Sequence, residues 1–221
     1  MTLHNEQPEG FRLPFDLSPE VEELLRRRAW EQIVRGDLDV DGFIELIADE
    51  LPERLDLDAD EAEAIVGQGE EIFDAALTAR RAQQAQWSDA ETATTLTRAF
   101  EALAEIGVVA RENFTCCGTC GSTEIWDEVD DSRTWRGYVF YHMQDTDSLI
   151  ETGETYIGYG AFPTTKKPLF QSKARHYEST VVDLMTNEVI PLLERHGVTV
   201  EWDGQLSRRI LLKNVDYYAK V

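Results

Sequence analysis

The spacing of apolar positions changes character near residue 107. Upstream, apolar residues recur every three to four positions, the period of a helix with one buried face. Val21, Leu24, Leu25 and Trp30 form such a stripe behind Ser18-Pro19-Glu20, which offers a hydroxyl cap, a first-turn proline and an acid; Gly36 closes it. A second helix is expected from Asp41, with Phe43, Ile44, Ile47 and Leu51 on one face and Pro52 as its stop. A third should run over residues 60–87 through Ala64, Ile65, Ile72, Phe73 and Leu77. A fourth follows Ser88, uses Leu96, Phe100, Leu103 and Ile106, and ends at Gly107.

Downstream the pattern turns to short aromatic and β-branched runs. Residues 138–143 and 156–160 read as strands, with Gly158 and Gly160 marking a bulge or a close approach, and residues 107–110 as a shorter one. A long helix is expected over residues 171–196, kinked or restarted at Pro191 and ended by Gly197. Residues 198–202 and 209–213 make a terminal hairpin around Asp203-Gly204. The resulting expectation is an α+β protein: an acidic helical region, residues 1–106, packed on an antiparallel or mixed sheet with one long helix, residues 107–221.

Charge sharpens that division. Residues 1–110 carry 26 acidic against 9 basic side chains, and residues 111–221 carry 17 against 12, for a total of −22. So negative a field repels phosphate backbones, which excludes nucleic acid as a partner and leaves a basic protein as the candidate one. No apolar run approaches the roughly 20 residues of a membrane span, and the N-terminus has no basic start before an apolar segment. A soluble, cytoplasmic protein is expected.

All three cysteines of the chain fall in Cys116-Cys117-Gly-Thr-Cys120. Two thiols three residues apart can pair, clamp a metal or simply pack. Residues 107–114 read as extended and 122–129 as helical, which puts the cysteines at a strand-to-helix junction where free amides favour a thiolate. Were residues 117–128 one helix, Cys117, Cys120, Glu124 and Glu128 would share a face. Zinc requires further ligands, for which His142, His176, Cys116 and Asp145 are available. His142 beside Asp145 also reads as an oriented base or, more simply, as a hydrogen-bonded residue at the core edge.

Two other patterns carry weaker chemistry. Asp37, Asp39, Asp41 and Gly42 match the start of a calcium loop, but the twelfth position, which should hold a bidentate glutamate, is Ala48. Calcium is therefore disfavoured, and helix capping accounts for the acids. Lys166, Lys167, Lys173 and Arg175 form an acid-free basic run suited to an anion or to pairing with the acidic half. No GxSxG nucleophile motif, phosphate loop or dinucleotide fingerprint is present.

The stretch GVVARENFTCCGTCGSTEIWDE, followed by RGYVFYHMQDTDSL and TYIGYGAF, resembles an uncharacterised family of bacterial proteins classed as a domain of unknown function. The resemblance centres on residues 107–162. It implies a bacterial cytosolic setting and supplies no substrate or catalytic residue. The sequence thus favours a non-catalytic binding protein, with a thiol-redox or zinc-dependent protein built on Cys117 and Cys120 as the alternative.

Overall fold

The computed structural model describes residues 3–88, 91–163 and 172–221. The chain divides into two compact units, one of residues 2–92 with 218–221 and one of residues 93–217.

The first unit is helical. Helix α1 (Pro19–Arg35) starts where Ser18 accepts the Val21 amide and stops at Gly36, whose φ of 83° lies in the left-handed region. Helix α2 (Val40–Arg54) runs through Pro52 rather than stopping there. The proline sits in the last turn, and the Leu55 amide still closes onto the Leu51 carbonyl at 3.1 Å. The expected third helix is two, α3 (Ala59–Val66) and α4 (Gly69–Gln84). Asp58 and Glu61 cap α3 reciprocally. Gly69 then lets α4 approach α2, since a Cβ there would stand 2.7 Å from Ile44. Leu25, Ile33, Phe43, Ile47, Leu51, Ile72 and Phe73 fill the core. Arg80 is also fully buried, its guanidinium over Trp30 and Trp87 and bonded to the His4 carbonyl and Gln83. That burial pulls its pKa down to about 10.

The second unit holds a five-stranded mixed sheet in the order β1-β2-β3-β5-β4. The strands are β1 (Val108–Arg111), β2 (Gly137–Phe140), β3 (Glu154–Ala161), β4 (Thr199–Glu201) and β5 (Ile210–Lys213). Strands β1 and β2 run parallel, and the other pairs are antiparallel. Helix α5 (Thr95–Glu105), capped by Thr94 rather than beginning behind Ser88, belongs to this unit. The aromatic run expected as one strand leaves the sheet after Phe140, and a helix absent from the sequence reading, α7 (Met143–Thr152), begins three residues on, after Tyr141 and His142. The long helix is α8 (Lys173–Leu184), a π-helical turn over Met185–Val189 and α9 (Ile190–Arg195). Pro191 has no amide to give to the preceding turn, and the wider turn accommodates that gap.

The glycines of β3 serve side chains rather than a bulge. Gly158 lies opposite Phe140 and Gly160 opposite Tyr138, and a Cβ at either would strike the facing ring. Next to β1, Glu112 accepts a bond from the buried Tyr141 hydroxyl at 3.0 Å, and burial pushes its carboxyl above the usual range. Among the described residues, no helix is long and apolar enough to cross a membrane.

Candidate metal centre

Beyond β1 the chain makes two non-glycine residues with left-handed backbone, Asn113 at φ 48° and Thr115 at φ 61°. Such residues carry strain and need outside support. The Thr146 hydroxyl bonds Asn113 at 2.8 Å, the Met143 amide bonds the Thr115 carbonyl at 3.1 Å, and the Thr115 hydroxyl bonds the Cys117 carbonyl at 3.2 Å. The loop that carries the cysteines is therefore tied to the first turn of α7.

Helix α6 (Gly118–Glu124) follows, starting four residues earlier than the sequence reading and with Cys117 as its extended first cap. Gly121 seats it on the sheet: a Cβ there would lie 2.3 Å from the Phe140 ring. Phe140 thus sits between Gly121 on one side and Gly158 on the other. A hollow of about 220 Å³ borders the same helix, between Gly118 and Ser122 and the Arg208-Arg209 segment.

These constraints gather the sulfurs. The Sγ atoms of Cys116, Cys117 and Cys120 all lie within 4.8 Å of one another, and Cys116 and Cys120 are 3.5 Å apart. Among the described residues this is the one group of three or more His, Cys, Asp or Glu side chains so gathered. The thiols are free, with Cys116 exposed and the other two half-buried. The Cys117 sulfur faces the amides of Cys120 and then Thr119, which hold its pKa below the ordinary thiol value. Cys120 is pushed up to about 11 by the neighbouring Cys116 and Cys117 sulfurs. Two thiolates this close repel, so once one thiol is ionised the next resists losing its proton unless a cation enters.

The remaining sequence candidates lie apart from the sulfurs. Glu124 is exposed on α6 and outside the sulfur group. The helix ends there, so Glu128 does not continue the expected face; it pairs with Arg111 at 2.6 Å. His142 lies against the first residue of α6, its ring Cδ2 3.6 Å from where a Gly118 Cβ would stand. Its Nε2, however, is 3.1 Å from Asp145, and Asp145 is clamped by Arg209, with one bond of 2.9 Å. Burial, with Arg209 adding, lowers the His142 pKa against the pull of Asp145. Arg209 had no signal in the sequence, because it reaches Asp145 across 64 residues.

Asp37 and Asp39 are spent on the backbone, accepting the amides of Asp39 and Gly42 at 3.0 and 3.1 Å, and Asp41 is exposed in the first turn of α2. Lys173 and Arg175 are exposed in the first turn of α8, and Lys166 and Lys167 lie outside the described residues. His176 is in α8, and His196 caps α9.

The family described as Domain of unknown function (DUF6891) matches residues 18–220. The chain belongs to this family. Its span takes in both the helical unit and the cysteine-bearing unit of this DUF6891 member. No curated protein and no solved structure matches the chain.

Proposed function

We propose that the protein binds a soft metal ion, zinc foremost, through the thiolates of Cys116, Cys117 and Cys120. The carrying observation is the mutual approach of the three sulfurs within 4.8 Å. A tetrahedral zinc with Zn–S bonds of about 2.3 Å holds its sulfurs about 3.8 Å apart, so small side-chain rotations suffice. Three protein ligands leave a fourth position for water or an incoming donor, as in zinc sites that act on something. His142 lies nearby but outside the sulfur group: its Nε2 faces Asp145, and its Nδ1 is buried without a hydrogen-bond partner among the described residues. Titration with cobalt or cadmium tests this reading. One equivalent should produce thiolate-to-metal absorption that vanishes when all three cysteines are serine; absence of that band overturns it.

A second reading, a non-catalytic role in binding a basic protein, rests on α2. Asp41, Glu45, Asp49 and Glu53 recur at every fourth position and are exposed, a like-charge stripe that costs helix stability unless something basic covers it. Capture of a basic partner that weakens with salt supports this role, and failure to retain one at low salt removes it.

A further inference from the structure

We infer that Cys116 and Cys120, rather than the CxxC pair Cys117 and Cys120, form the redox couple of this protein, and that their disulfide closes the metal site. The sulfur geometry carries the first part, and the consequence for the ion rests on the metal reading above.

In sequence the obvious disulfide joins Cys117 to Cys120. The fold brings Cys116 over the first turn of α6 instead, through the left-handed Asn113 and Thr115 and the bonds that hold them. Its Sγ stands 3.5 Å from that of Cys120. A disulfide is about 2.05 Å long, so closing the gap is within reach of side-chain rotation. Cys117 is the extended first cap of α6, and its sulfur is held only to the 4.8 Å reach of the group as a whole. Cys116 is exposed, so a small oxidant can reach it.

The oxidant class is a low-molecular-weight disulfide. One protein thiolate attacks a sulfur of that disulfide, its S–S bond breaks, and one small thiol leaves. The other protein thiolate then attacks the mixed disulfide at the protein sulfur and expels the second small thiol. Two protein thiols are oxidised and one small disulfide is reduced to two thiols. Two of the three metal ligands are consumed, and Cys117 remains a free thiol.

The test uses the full chain, first stripped of metal with a chelator. It is equilibrated with mixtures of reduced and oxidised glutathione, quenched in acid and alkylated. Tandem mass spectrometry of the oxidised wild type should place the alkyl label on Cys117; a label on Cys116 overturns the inference. In parallel, Cys117→Ser should lose its two thiols at the wild-type buffer ratio, while Cys116→Ser should need a buffer about tenfold more oxidising. Equal behaviour of the two variants, or no thiol loss in either, also overturns it. Repeating the oxidation on cadmium-loaded protein should release the ion in step with thiol loss. If the label falls on Cys117 but no ion ever binds, the redox couple stands and the metal reading fails.

Discussion

Two short segments of this chain look alike as ligand sets and fold to different outcomes. Asp37, Asp39 and Asp41 alternate like the start of a calcium loop, and Cys116, Cys117 and Cys120 crowd like a thiolate clamp. In the acidic segment the backbone takes the oxygens: Asp37 closes a turn and Asp39 caps α2. In the cysteine segment the Met143 amide and the Thr115 hydroxyl serve the Thr115 and Cys117 carbonyls, and although the Cys117 sulfur also faces two amides, all three sulfurs stay within reach of one another. A ligand pattern becomes a site when the surrounding chain meets its own hydrogen-bonding needs without the ligand atoms.

The largest test of that contrast is removal of a sulfur. Cys120→Ser should weaken cadmium or cobalt binding by about 100-fold or more, since losing a ligand costs at least as much as losing the groups that orient one. Competition titration against a chromophoric chelator measures it. Next comes the seat of α6. Gly121→Ala forces a methyl into the Phe140 ring and should cost about 1–3 kcal/mol in urea unfolding, with weaker metal binding as the helix lifts. On the acidic side, Asp39→Ala should cost about 1 kcal/mol through the lost cap and leave the metal titration unchanged. A change in metal stoichiometry would show that the acids are more than caps.

The smallest expected effect is a pH slope. Burial raises the folded pKa of Glu112, so the native state keeps a proton that the unfolded chain has already released. The stability contributed by Glu112 is fully present below the ordinary glutamate range and is lost as pH rises through the raised value. Glu112→Gln, which keeps the Tyr141 contact, should flatten that slope in unfolding curves taken across the carboxylate range.

Much of the fold was legible in the sequence because it depends on local chemistry. The start of α1 at Ser18-Pro19, its stop at Gly36 and the strand character of residues 138–140 and 156–160 follow from caps, a left-handed glycine and β-rich composition. Helix α7 escaped because its cap is unusual: Asp145 accepts the His142 amide, and an aromatic run just before it suggested that the strand continued. Pro52 misled because a proline in the last turn forgoes only its own amide bond to the preceding turn, and a later amide, that of Leu55, still closes the helix.

The sequence by itself determined most of the helical and sheet elements, the acid-rich first half and the fact that all reactive sulfur lies in one five-residue segment. Local propensity and charge act over a few residues, so they can be read along the chain. Only the tertiary structure decided which sulfurs meet, that Asp145 takes the His142 nitrogen, and that Arg209 holds Asp145 from 64 residues away. Those outcomes depend on Gly121 and Gly158 making room for one ring and on a strained loop tied down from outside. Contacts of that kind exist only after distant segments have closed on one another.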